Sequence, residues 1–271
     1  MSKQETKISM GDEASLKKEE NQKTIEEDSL QTLKQEPVEL SLEEMLKAGL
    51  HFGHKKARWN PKMKNYIFGL RQGVHIINLE KTLECFKKAL DYIENLVASG
   101  GQILIVSTKK QAKNLVSSAA QATAMPYVNQ RWLGGTFTNF KDIAGRVSYL
   151  LNTQSALEMG KFADLTKLER LRIKKELEKL EEKMGGLVQM KKIPEAIFVL
   201  DVKKEIAAIK EARKKGVKII GIVDTNADPS LVDFPIPAND DSISSLSYIL
   251  KILTQTIVAA KKKKSQASLE K

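Results

Sequence analysis

Two stretches of the chain bring cations, an indole ring and amides together in a short span. The first is Lys55-Lys56-Ala57-Arg58-Trp59-Asn60-Pro61-Lys62-Met63-Lys64, with Arg71 a little further on. The second is Asn129-Gln130-Arg131-Trp132-Leu133-Gly134-Gly135-Thr136-Phe137-Thr138-Asn139, with Lys141 just beyond it. Lysine and arginine neutralise phosphates, while Trp, Thr and Asn can stack or hydrogen-bond on bases and sugars, so both stretches are candidate nucleic-acid contacts. The opposing reading is a loop whose Trp fills the core and whose charges face water.

A second kind of chemistry is suggested where strand-like runs give way to helices. Ser107-Thr108-Lys109-Lys110 and Asp201-Val202-Lys203-Lys204 both place paired lysines in the first turn of a helix. The helix dipole disfavours a cation there by about 0.3–1 kcal/mol unless an anion is close, which makes Lys109 and Lys110 candidate phosphate ligands. Solvated lysines are the plainer alternative. Asp224-Thr225-Asn226-Ala227-Asp228-Pro229 could hold Mg²⁺, although Asp and Asn before Pro are also ordinary turn formers. His51, His54, His75 and Cys85 could be grouped as a zinc site, but their spacing matches no standard finger, and no metal is expected. Neither GxGxxG nor GxxxxGK[ST] occurs, so the usual dinucleotide and P-loop cradles are missing. Nor does a nucleophile–base pair stand out, since Cys85 falls inside an amphipathic helix.

The charge balance favours a polyanionic partner. The 271 residues carry a formal charge of +11, and residues 1–36 hold six lysines against nine acids, so the remainder carries +14. Nucleic acid is therefore the first expectation. One cysteine cannot staple a fold, which points to a reducing compartment. No uninterrupted apolar run approaches the roughly 18 residues of a membrane span, so no membrane partner is expected.

These residues must be positioned by an ordered framework, and the apolar pattern supplies one. Residues 1–37 lack aromatic residues and clustered apolar ones and read as a disordered extension. Ser41 and Glu44 form a capping box for a short helix over about 42–48. Strand-like segments follow at Tyr66–Phe68 and His75–Asn78, then a helix over about 79–98. Ile103–Val106, Ala196–Leu200 and Val217–Val223 read as buried strands. Thr108 with Gln111 would cap one intervening helix, and Lys203–Lys215 and Ser242–Ala260 would form others. Alternating strands and helices predict an α/β domain over 38–260, with a parallel sheet covered on both faces. Ile143, Val147, Leu150, Gln154 and Leu157, and then Ile173, Leu177, Leu180, Met184 and Leu187, step by three and four. That spacing predicts an antiparallel coiled-coil hairpin over 142–187, inserted in the domain as a separable arm. Residues 261–271 read as a frayed basic tail.

The motifs Met45-Leu46-Lys47-Ala48-Gly49-Leu50-His51-Phe52-Gly53-His54, Trp59-Asn60-Pro61-Lys62-Met63, Ile67-Phe68-Gly69 and His75-Ile76-Ile77-Asn78-Leu79 occur in this order. Arg131-Trp132-Leu133-Gly134-Gly135, Ile222-Val223-Asp224-Thr225-Asn226, Asp228-Pro229 and Ile236-Pro237-Ala238-Asn239-Asp240-Asp241 follow. The set closely resembles the bacterial-type small-subunit ribosomal protein two family over about residues 38–260. The resemblance implies a Rossmann-like or flavodoxin-like α/β fold with a protruding coiled-coil hairpin. It implies a cytoplasmic ribosomal protein that binds small-subunit rRNA and helps dock the large mRNA-binding protein among its neighbours. Catalytic activity, a cofactor and homo-oligomers are not expected. The competing expectation is a Mg²⁺-dependent phosphate- or sugar-nucleotide enzyme built on Asp201, Asp224 and Asp228.

Overall fold

The computed structural model describes residues 40–160, 162 and 165–269, with side chains to Lys264. The expected extension over 1–37 lies outside the described residues. So do Lys161, Ala163 and Asp164, within the expected hairpin over 142–187.

Helix α1 (Leu42–Lys47) starts at Ser41, whose side chain accepts from the Glu44 N–H; of the expected capping box this half is formed, and no reciprocal bond from the Glu44 side chain is found among the described residues. Three short strands follow, β1 (Phe52–Lys55), β2 (Ile67–Arg71) and β3 (Val74–Ile77), forming an antiparallel sheet in the order β1-β3-β2. Strands β2 and β3 lie close to the expected segments Tyr66–Phe68 and His75–Asn78, whereas β1 was not expected, because a four-residue strand containing Gly53 and His54 has no clear alternation.

Helix α2 (Leu79–Ala98) leads to β4 (Ile103–Val106), α3 (Lys113–Thr123) and β5 (Tyr127–Val128). Beyond the hairpin come β6 (Ala196–Val199), α6 (Ile206–Lys215), β7 (Lys218–Val223), β8 (Phe234–Pro237) and α7 (Ile243–Leu269). The five strands pair in parallel in the order β5-β4-β6-β7-β8. Every residue of β4 and β6 is buried, because both faces of the sheet are covered. Ile103 and Ile105 pack on the face holding Phe86, Ile93, Leu246 and Leu253, whereas Leu104 and Val106 pack on the face holding Phe137, Ile209 and Leu187.

The hairpin consists of α4 (Phe140–Glu158) and α5 (Lys167–Met184), the latter started by a reciprocal Thr166–Glu169 capping box. It is not a separable arm at its base. Ile143, Val147, Met184 and Leu187 belong to the same apolar cluster as the sheet residues Leu104, Val106 and Val199. The heptad pattern located the seam, but it could not tell a partner helix from a partner sheet.

At the other end, α7 continues through the lysine run to Leu269 instead of fraying at 261. Lys261 donates to the Thr123 carbonyl and Lys263 pairs with Glu94, each at 2.5 Å. Within Ile243–Lys264 an 18-residue stretch reaches the mean hydropathy (1.4) of a membrane-crossing helix, yet half of that stretch is buried in this domain. Leu246, Ile249, Leu250, Leu253 and Ile257 are fully buried, so α7 is a core helix.

Candidate nucleic-acid interface

The carboxyl ends of β4, β6, β7 and β8 bring together charges that are far apart in sequence. Lys109, just after β4, is buried and points inward. Its ammonium lies 2.7 Å from Asp240 Oδ1, 2.7 Å from Asp241 Oδ1 and 3.0 Å from Asp201 Oδ2, and it donates to the Asp240 carbonyl at 2.8 Å. The anion that justifies this lysine is thus supplied by the protein. Thr108 caps no helix: its N–H and hydroxyl donate to Glu205 Oε1 at 2.8 and 2.6 Å, and α3 begins only at Lys113 after a single 3₁₀ turn. Lys110 is exposed.

Burial opposes the charge on Lys109, but Asp240, Asp241 and Asp201 outweigh it and hold the ammonium above its ordinary range. The carboxylates outnumber their cations, and the surplus falls on Asp240. Burial first, and then the charges of Asp201 and Asp224, push its carboxyl up to about 7. His54 Nδ1 lies 2.9 Å from Asp224 Oδ2 and Nε2 lies 3.4 Å from Asp241 Oδ2; the Asp224 hydrogen bond raises its pKa.

This geometry depends on Gly53. A Cβ there would sit 2.6 Å from Thr225 Cγ2, while the next residue's N–H donates to Thr225 Oγ1 at 2.8 Å. Donor atoms of His54, Asp224, Asp240 and Asp241 lie within 4.8 Å of one another, the donor types a divalent cation takes, but here Lys109 holds Asp240 and Asp241 and His54 holds Asp224. The sequence grouping of His51, His54, His75 and Cys85 is not assembled among the described residues, since only His54 enters this set. Spacing could not reveal it, because its members come from β1 and from the ends of β7 and β8.

The two basic stretches divide between solvent and interior. Lys55 and Arg71 occupy neighbours of β3, both paired with Val74, so two strand spacings, roughly 10 Å, separate their backbones. Lys56 and Arg58 follow in a 3₁₀ turn, and all four are exposed. Trp59 is partly buried against His75, with ring centroids 5.1 Å apart. Lys62 pairs with Asp228 at 2.5 Å and donates to Ser230 at 3.1 Å, while Lys64 is exposed.

In the second stretch Arg131 and Lys141 are exposed, but Trp132 and Thr136 turn inward. Trp132 packs edge-on against Phe137 and donates from Nε1 to Glu211 at 3.0 Å; the Thr136 hydroxyl donates to the Leu133 carbonyl at 2.6 Å. Trp132 and Thr136 thus shape the loop from within. Asn139 is exposed, and its Nδ2 donates to Asp142 at 2.5 Å. Among the described residues, Lys55, Lys56, Arg58, Lys64, Arg71, Lys110, Arg131 and Lys141 have no carboxylate partner.

Residues 45–260 match the family described as ribosomal protein S2. The chain belongs to that family. Three curated relatives, from Francisella philomiragia subsp. philomiragia, Francisella tularensis subsp. novicida and Francisella tularensis subsp. tularensis, are 46%, 47% and 47% identical to it. Each match spans 219 residues, 81% of this chain and 92% of the relative, and each relative is named small ribosomal subunit protein uS2. Membership in a ribosomal protein family implies a structural role, and the competing enzyme reading is not supported. Its three carboxylates are also already engaged: Asp201 by Lys109, Asp224 by His54 and Asp228 by Lys62.

Proposed function

We propose that this S2-family chain is a non-catalytic structural constituent of the small ribosomal subunit in the cytoplasm. It binds small-subunit rRNA through its outward-facing cations, mainly by phosphate and shape. The observation that carries the RNA contact is the outward set of Lys55, Lys56, Arg58, Lys64, Arg71, Lys110, Arg131 and Lys141, exposed without carboxylate partners on a folded region of +14. Lys109, Trp132 and Thr136 serve the fold behind that surface, and Lys62 is shared with Asp228. The protein takes its place as a single copy among neighbouring small-subunit proteins, including the large mRNA-binding protein. It needs no cofactor and no membrane. Sedimentation of the tagged full-length chain from cell lysate tests the reading. Migration with small subunits, with release by ribonuclease or high salt, is expected; a chain that stays at the top of the gradient contradicts it.

A further inference from the structure

The loop between β5 and α4 is folded around a carboxylate from a distant helix. Glu211, on α6, accepts five hydrogen bonds from residues 73–79 positions earlier in the chain. Trp132 Nε1 and the Gly135 N–H donate to Oε1 at 3.0 and 2.8 Å. The Phe137 N–H, the Thr138 N–H and the Thr138 hydroxyl donate to Oε2 at 3.0, 3.1 and 3.1 Å. Gly135 makes the turn possible with φ of +93°, a left-handed conformation natural to glycine.

Converging backbone N–H groups of this kind form an anion cradle, which in other settings takes a phosphate. Here the cradle is filled from within the protein. Burial works against the Glu211 charge, and the hydrogen bonds from Trp132, Gly135, Thr138 and Phe137 outweigh it, holding the carboxyl below its usual range. With its N–H groups turned inward, the loop offers a polyanion the cation near its start, Arg131, and leads into Lys141 in the first turn of α4.

Resting on the reading of this loop as an RNA contact, we infer that Glu211 is a positioning residue for RNA: it touches no nucleotide, but fixes the loop so that Arg131 and Lys141 reach phosphates together.

The test uses the full-length protein as wild type, Glu211→Ala, Glu211→Gln, the pair Arg131→Gln/Lys141→Gln, and the triple variant joining that pair to Glu211→Ala. Binding to small-subunit rRNA is titrated over a range of salt, at a temperature where calorimetry shows each variant folded. Glu211→Ala should weaken binding about tenfold and flatten the salt slope by about 1.5, the value of two lost phosphate contacts. Glu211→Gln, which keeps one acceptor oxygen, should lose less.

In the background lacking both cations, Glu211→Ala should change affinity by less than about twofold, because it acts through those side chains. Equal losses in both backgrounds, or no loss in either, overturn the inference. If the paired variant is weakened and Glu211→Ala is not, only the inference fails. A paired variant that binds like wild type removes the RNA reading of the loop, and the inference with it. Should Glu211→Ala not fold, Glu211→Gln decides by amide exchange. Faster exchange at Gly135, Phe137 and Thr138 with weaker binding supports the inference; faster exchange with unchanged binding overturns it.

Discussion

The loops that leave β4 and β5 begin side by side at one edge of the sheet, yet they treat charge in opposite ways. After β4 the cation is buried: Lys109 sits among Asp201, Asp240 and Asp241. After β5 the anion is held inside, and Arg131 and Lys141 remain at the surface. Both loops are rich in polar residues, but the first uses its lysine to join strand ends and the second uses Glu211 to shape a surface. The difference teaches that a basic residue indicates a polyanionic partner only once its direction is known. A buried lysine with three carboxylates has no charge left to offer.

The widest separation of inward from outward parts is in the hairpin, and it gives the largest expected effect. Replacing 142–187 with a Gly/Ser linker removes Ile143, Val147, Met184 and Leu187 from the core, and should abolish cooperative unfolding in calorimetry. Replacing only 155–180 keeps those four side chains and should preserve the transition. Equal behaviour of the two deletions would erase the distinction between base and tip.

Next in size is Lys109→Met. Removing one member of a buried charge cluster leaves the carboxylates uncompensated, at a cost of about 3–5 kcal/mol. For a domain of this size that corresponds to a fall in Tm of roughly 10 °C. A change of only a degree or two would show that the cluster is well solvated.

A smaller effect concerns pH. The Asp240 carboxyl is raised in the folded state, so the fold binds that proton more tightly than the unfolded chain does. Its ionisation, as pH rises through about 7, therefore destabilises the protein. His54 is also raised, so its contribution is fully present below the unfolded value near 6.5 and is lost as pH rises through the folded one. Both act in the same direction. In chelator-treated protein, Tm should fall by about 2–4 °C between pH 6 and pH 8, and Asp240→Asn should make that fall shallower, leaving the share due to His54.

Much of this molecule was legible before its structure was known. Period and capping located α1, α2, the hairpin seam and the buried strands, because burial on both faces leaves unbroken apolar runs such as Ile103–Val106. The order of spaced motifs pointed to the family. Strand β8 (Phe234–Pro237) was not foreseen: its two prolines hid it, although an edge strand tolerates them. The direction of polar side chains was the least legible feature. Thr136 and Trp132 look like RNA ligands in a linear string, and only the placement of Leu133 and Glu211 turns them inward. Glu211 itself carried no local signal, since its partners lie on another element.

The measurement that tests the division between buried and presented cations most directly is a paired one: rRNA affinity against salt, and Tm, for Arg131→Gln/Lys141→Gln and for Lys109→Met. The surface pair should lower affinity and flatten the salt slope by about 1.5, with stability within about 0.5 kcal/mol of wild type. Lys109→Met should lower Tm steeply, and below its transition should bind RNA with unchanged affinity and slope. The reverse pattern, with RNA binding lost on removing Lys109 and stability lost on removing Arg131 and Lys141, would contradict the account.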